Sequence, residues 1–265
     1  MQTVLRFRPS TTNTISHDLQ LDTERNVATV IRPQKSFRSG FSSPRSSSNV
    51  KVHQSEFRAN HILNTECTQQ SLFEKVGKRL ITNTLDGFNT SVFAYGQTGS
   101  GKTYTMFGDS MAHSDGLAFQ SLQYLFDSIH SKIKVKEQVV SFTAHISAFE
   151  IYNDKIYDRL LAPDLDVTQP AGPGPAAPLQ LLDGKIVNLT SIEISNYEDI
   201  RQSLDYAIES RMTAATDSNA VSSRSHLVIT IDLQQHQSNG GSLNSKLHFI
   251  DLAGSERVRY VLSSF

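Results

Sequence analysis

Residues 96–103 read Gly-Gln-Thr-Gly-Ser-Gly-Lys-Thr and satisfy the spacing G-x-x-x-x-G-K-[ST]. Gly96 and Gly101 let the backbone turn tightly, so that the N–H groups of the loop, through Gln97, Thr98, Gly99 and Ser100, face phosphate oxygens. Lys102 supplies a cation for the outer phosphates, and the Thr103 hydroxyl is a ligand for Mg²⁺. A helix opening at this point aims its positive dipole end at the same anion. The run Ser91–Tyr95 (Ser-Val-Phe-Ala-Tyr) just upstream is apolar and of buried-strand type, which is the context the motif requires.

A phosphate cradle needs company before it can hydrolyse anything: a carboxylate near the metal, and groups that detect the terminal phosphate. Asp251-Leu252-Ala253-Gly254 follows an apolar strand pattern. It offers Asp251 for the Mg²⁺ shell and the Gly254 N–H for the terminal phosphate. Residues 219–226 read Asn-Ala-Val-Ser-Ser-Arg-Ser-His, with two adjacent hydroxyls (Ser222, Ser223) and Arg224 just before another strand. These types suit contact with a metal-bound water and a transferring phosphoryl group. A Ser-rich capping turn is the other reading of the same octet.

The elements that must position these groups are read from periodicity. Residues 2–8, ending at Pro9, and 27–31 are expected strands. Leu72, Phe73, Val76, Leu80, Ile81 and Leu85 predict a helix over 69–86 that stops at Gly87, and a second helix carries Leu117, Leu122, Leu125, Phe126 and Ile129. Residues 138–152 alternate as a long half-buried strand, as do 226–234, and 246–250 form a last strand. A helix over about 196–212 carries Tyr197, Ile200, Leu204, Ala207 and Ile208, with Ser195 and Glu198 at capping-box spacing. Residues 32–51 are Ser-rich with scattered Arg and Lys and read as a solvated loop; the sharper alternative is a basic contact. Residues 162–178, with five prolines, read as a surface insertion within the domain. Strands alternating with helices predict an α/β sheet.

Composition narrows the class. The 265 residues hold 25 basic and 26 acidic side chains, so bulk charge points to neither nucleic acid nor a membrane surface. Cys67 is the single cysteine, which excludes a disulfide framework and suits a reducing compartment. No apolar run is long enough for a membrane-spanning helix, and the nine histidines show no metal-ligand spacing.

Taken in order, Arg-Phe-Arg-Pro (6–9), GQTGSGKTYTMFG (96–108), FEIYNDKIYDRLL (149–161), NAVSSRSH (219–226) and DLAGSER (251–257) resemble the kinesin motor domain, over residues 1–257. The resemblance implies an α/β P-loop NTPase fold with a central mixed β-sheet covered by helices on both faces. It implies ATP and Mg²⁺ as cofactors, ATP hydrolysis, microtubules as partner, and a cytoplasmic, microtubule-associated location. On the same grounds Arg6 and Pro9 line the adenine, with Tyr104 beside the base. Gly96–Thr103 hold the phosphates; Asn219, Ser222, Ser223 and Arg224 form switch I; and Asp251, Gly254 and Glu256 form switch II. Thr103, Ser223 and Asp251 surround the metal, and Arg224 pairs with Glu256 when ATP is bound.

Motor domains of that family continue past DLAGSER into further helices, a final strand and a neck linker, whereas residues 258–265 here read Val-Arg-Tyr-Val-Leu-Ser-Ser-Phe. The expectation is therefore a fold incomplete at its C-terminus, with a divergent tail, an open sheet edge and low stability. Two functions follow: an ATP-hydrolysing motor segment, or a remnant that holds nucleotide or a partner without productive turnover. A GTPase is disfavoured, because no N-K-x-D guanine motif is present and Arg6 and Pro9 are placed for adenine.

Overall fold

The long alternating runs become the centre of the sheet. In a computed structural model the chain is described over residues 1–8, 19–33, 52–109, 114–135, 139–161, 177–213 and 224–256. Pro9, most of the Ser-rich loop, residues 162–176 of the insertion, Asn219, Ser222, Ser223 and the tail from residue 257 lie outside these. The chain divides into two units, Met1–Thr68 and Gln69–Phe265.

In the first unit β1 (Val4–Arg6), β2 (Leu19–Asp22), β3 (Val27–Pro33), β4 (Val52–Arg58) and β5 (His61–Leu63) make two small sheets. β1 pairs with β5 in parallel, and β2, β3 and β4 form an antiparallel meander. Asn26, in the left-handed region (φ 56°) that Asn tolerates, closes the β2–β3 turn. Its side-chain oxygen accepts the Ile62 N–H at 3.0 Å.

In the second unit the expected helix over 69–86 is not uniform. α1 (Gln69–Leu72) and α2 (Lys78–Leu85) are joined by a π turn over Phe73–Gly77, where the Lys78 N–H bonds the Phe73 carbonyl. A Cβ on Gly77 would collide with the Phe73 ring and the Ser121 hydroxyl. The extra residue lets that ring lie over its own helix where it meets a neighbour. Then follow β6 (Thr90–Ala94), α3 (Lys102–Phe107), the short pair β7 (Gly108–Asp109) and β8 (Ser114–Asp115), and α4 (Leu117–Lys134). After these come β9 (Val139–Tyr152), β10 (Lys155–Asp158), the hairpin β11 (Gln180–Leu182) and β12 (Lys185–Val187), β13 (Ile192–Ile194), α5 (Tyr197–Thr213), β14 (Ser225–Gln237) and β15 (Ser242–Asp251).

The main sheet runs β10-β9-β14-β15-β6, with β13 also on β9. It is mixed: β9, β14 and β15 are antiparallel, and β15 pairs with β6 in parallel, with Asp251 opposite Ala94. Alternation decides the faces. Ala144, Ile146 and Ala148 of β9, Leu227, Ile229, Ile231 and Leu233 of β14, and Leu247 and Phe249 of β15 are buried in one cluster with Phe126 and Ile129 of α4 and Ile200 and Leu204 of α5. Among the described residues the helices gather on this face.

Two expectations shift. α5 is capped one residue later than the Ser195/Glu198 spacing implied: the Asn196 side chain accepts the Asp199 N–H at 3.0 Å, and the Asp199 carboxylate accepts the Ser195 N–H at 3.0 Å. The run Ser91–Tyr95 is also less buried than its composition suggests, with Phe93 of β6 61% and Tyr95 just beyond it 76% exposed, because β6 ends the described sheet and Phe93 points away from the helices.

Phe126 is buried and meets Phe142 edge-to-face at 5.5 Å. Phe126→Ala is expected to cost about 3–5 kcal/mol in urea unfolding. Val140→Ala, at a strand position 55% exposed, should change stability by less than about 0.5 kcal/mol. Similar losses for both would contradict this placement of the core.

Candidate active site

The phosphate loop lies between β6 and α3, and its backbone is held open by glycine. Gly101 sits at φ +93°, a conformation an L side chain adopts only with strain. Gly96, at φ +155°, is constrained by space as well, since a Cβ there would run into the Ser100 hydroxyl. The Ser100 N–H closes the turn onto the Gln97 carbonyl at 3.1 Å, and Lys102 Nζ donates to the same carbonyl at 3.1 Å.

The DxxG segment runs beside this loop because β15 and β6 are parallel. Past the end of the strands, the Leu252 N–H donates to Ala94 O at 3.2 Å and the Ser255 N–H to Gly96 O at 3.0 Å. The Ala253 N–H donates to His226 Nδ1 at 3.0 Å, tying the segment to the start of β14. Asp251 is buried, and its Oδ2 accepts from the Thr103 hydroxyl at 2.7 Å. Two of the three residues read as surrounding the metal, Thr103 and Asp251, are thus in contact, and the third, Ser223, lies outside the described residues.

Sequence reasoning missed the groups behind Asp251. Arg211, in the last turn of α5, is buried and donates through Nη1 to Asp251 Oδ2 at 2.6 Å. It also donates through Nε to Ser225 Oγ at 3.2 Å and through Nη2 to Ser225 O at 2.9 Å. On its far side stands Glu150 of β9, fully buried, with Oε1 at 3.7 Å from Arg211 Nε and Oε2 bonded by Arg159. A chain of alternating charge therefore runs Asp251–Arg211–Glu150–Arg159. Its members had a visible signal: Glu150 continues the buried phase of Ala144, Ile146 and Ala148, and Arg211 continues that of Leu204 and Ala207. A charge at a core phase implies a partner.

Asp251 Oδ1 is buried with no hydrogen-bond partner among the described residues. An orphaned carboxylate oxygen beside a hydroxyl is a donor set suited to Mg²⁺ shared with phosphates, since that ion keeps several waters and takes few protein ligands. The site thus fits the cation.

The remaining site residues are distributed as follows. Arg6 belongs to the first unit, where Nη2 donates to the Cys67 carbonyl at 3.3 Å. Tyr104 is 44% exposed, and its carbonyl accepts from buried Gln69 at 2.6 Å. Arg224 is exposed at the turn before β14 and makes no ion pair among the described residues. Glu256 faces the loop: its carboxylate accepts the Thr98 N–H at 2.8 Å and bonds the Thr98 hydroxyl. These bonds, with the charge of Lys102 nearby, hold the Glu256 carboxyl below its usual range.

A parallel strand pair delivering a glycine-rich loop and a buried aspartate to one place defines a P-loop nucleotide-site protein. The family model for the kinesin motor domain matches residues 6–263. The chain belongs to the kinesin motor domain family. It is 36% identical over 225 residues to kinesin-like protein KIN-12B of Oryza sativa subsp. japonica, spanning 79% of this chain and 20% of that protein. It is 34% identical over 210 residues to kinesin-like protein KIP2 of Eremothecium gossypii, spanning 77% of this chain and 30% of that protein. A solved structure described as "Structure of a fast kinesin: Implications for ATPase mechanism and interactions with microtubules" superposes with a TM-score of 0.76 at 27% identity, covering 100% of this chain and 68% of that one. The chain therefore spans less than a third of these two curated relatives. No described helix is long and apolar enough to cross a membrane.

Arg211→Ala leaves buried Asp251 without its cationic partner, while Glu150 keeps Arg159, and is expected to lower stability by about 3–5 kcal/mol in urea unfolding. A loss below about 1 kcal/mol would count against the network.

Proposed function

We propose that the chain binds ATP with Mg²⁺ and hydrolyses it, as the nucleotide-handling part of a microtubule motor. The supporting observation is the contact between Thr103 and Asp251, whose other carboxylate oxygen is buried with no partner among the described residues. The loop 96–103 receives the phosphates on its amides, and Lys102 balances their charge. Mg²⁺, when bound, neutralises charge that develops on the phosphate oxygens. Tyr104, in the same unit as the loop, takes the base.

Each remaining group has a defined task. Arg211 fixes the Asp251 carboxylate through one oxygen, so the other stays oriented for the metal shell. Ser222, Ser223 and Asn219 close over the phosphates, and Gly254 donates its N–H to the terminal one. Arg224 approaches the charge that builds up in the reactive state and is countered by Glu256. Because that contact belongs to the reactive state, it acts on turnover more than on affinity. This reading takes residues 1–257 as one motor domain, with 32–51 and 162–178 as surface inserts. It places the protein in the cytoplasm on microtubules.

Lys102→Ala is expected to abolish binding of a fluorescent ATP analogue; unchanged binding would overturn the assignment. Arg224→Ala should bind the analogue as wild type does and lose about 10²–10³-fold in single-turnover hydrolysis. Equal turnover would remove Arg224 from the reactive state. Steady-state ATPase with and without polymerised microtubules, blanked with Lys102→Ala, tests the motor assignment. Stimulation supports it, and Lys102-dependent basal turnover without stimulation favours a nucleotide-binding module that has no motor coupling.

A further inference from the structure

Thr98 is the third residue of the phosphate loop, and the anion on its amide is one of the chain's own. The Glu256 carboxylate takes the Thr98 N–H at 2.8 Å and bonds its hydroxyl, although the two residues are 158 positions apart. The approach is tight. A Cβ on Gly254 would collide with the Thr98 hydroxyl and with both Glu256 carboxylate oxygens. Ser255 is held alongside by its N–H on Gly96 O at 3.0 Å. Glu256 is fully exposed to solvent, so its hold on Thr98 is shallow and exchangeable. Arg224, a possible alternative partner for that carboxylate, makes no ion pair among the described residues.

Building on the reading of residues 96–103 as a nucleotide loop, we infer that Glu256 is a tethered anion competing with the terminal phosphate for Thr98, so that this contact sets the preference between nucleoside triphosphates and diphosphates. Gly254, read as the residue that meets the terminal phosphate, lies between Thr98 and Glu256. A triphosphate arriving there brings like charge against the carboxylate and drives it off the loop. A diphosphate lacks that group and leaves the carboxylate in place. Once displaced, Glu256 is free for Arg224. Resting contact and closed contact thus exclude each other, and the nucleotide's outermost charge selects between them. The ordering of Glu256 is consistent with its lowered carboxyl pKa, which the Thr98 bonds produce first and Lys102 assists.

The test is a titration of a non-hydrolysable ATP analogue and of ADP, each with Mg²⁺, against wild type, Glu256→Gln, Glu256→Asp and Thr98→Val. Glu256→Gln keeps size and removes charge. It should tighten the triphosphate analogue about two- to fivefold while moving ADP by less than about 1.5-fold. Glu256→Asp keeps the charge but withdraws it from the loop, and Thr98→Val removes the hydroxyl donor. Both should shift the triphosphate-to-diphosphate ratio in the same direction by a smaller factor. The wild-type ratio should approach that of Glu256→Gln as salt is raised, since the competition is between screened charges. A ratio unchanged or lowered in Glu256→Gln overturns the competition while leaving the nucleotide site standing. Wild type that binds neither nucleotide in a Lys102-dependent way overturns the nucleotide reading itself. Glu256 being fully exposed, its variants should keep the wild-type thermal midpoint; a variant with a lowered midpoint and an unchanged ratio would make Glu256 a structural tie and overturn the competition as well.

Discussion

A single carboxylate oxygen carries the geometry of this site. Asp251 Oδ2 accepts at once from Thr103, at the head of α3, and from Arg211, at the foot of α5. Both donors are fixed by elements packed in the main core, so the acid cannot rotate without losing one of them. Burial makes the arrangement binding, because a charged group taken out of water needs a partner. Arg211 supplies that counter-charge and is itself backed by Glu150, whose other side is met by Arg159. Three side chains from three parts of the sequence, Arg211, Glu150 and Arg159, thus stand in line behind one carboxylate.

The same arginine has a second consequence. It bonds both the hydroxyl and the carbonyl of Ser225, which opens β14. The segment between α5 and β14 contains Asn219, Ser222, Ser223 and Arg224. Its two ends are therefore joined through Arg211, and the joint is the same group that orients Asp251. Any rearrangement of that segment starts from anchors shared with the carboxylate site.

How much of this was legible in the sequence depends on whether the information was local. The phosphate loop was legible because its chemistry sits in eight consecutive residues. The faces of β9, β14 and β15 were legible because alternation is a local property with period two. The cap of α5 was missed by one residue: Ser195/Glu198 and Asn196/Asp199 have the same spacing, and the choice depends on where the backbone turns helical. The burial of β6 was overestimated because apolar content says nothing about which strand ends a sheet. Arg211 and Glu150 are signalled only by their phase in a buried pattern, and the partners that phase implies lie on other elements. The contact of Glu256 with Thr98 joins positions far apart, and nothing local announces it.

The parallel register of β15 on β6 places Asp251 level with Ala94. Those two residues are also the points at which each strand gives way to a functional loop. The pairing therefore acts as a ruler with both site segments mounted at the same mark. Sliding one strand by a single residue would displace the carboxylate by about 3.3 Å and turn it to the opposite face. Thr103 and Arg211 would then both lose it. Insertions can accumulate in the connections on either side of these strands without reaching the chemistry, but one added within either strand would separate cradle from carboxylate. For this architecture, the spacing from strand to loop is as much a part of the active site as the side chains are.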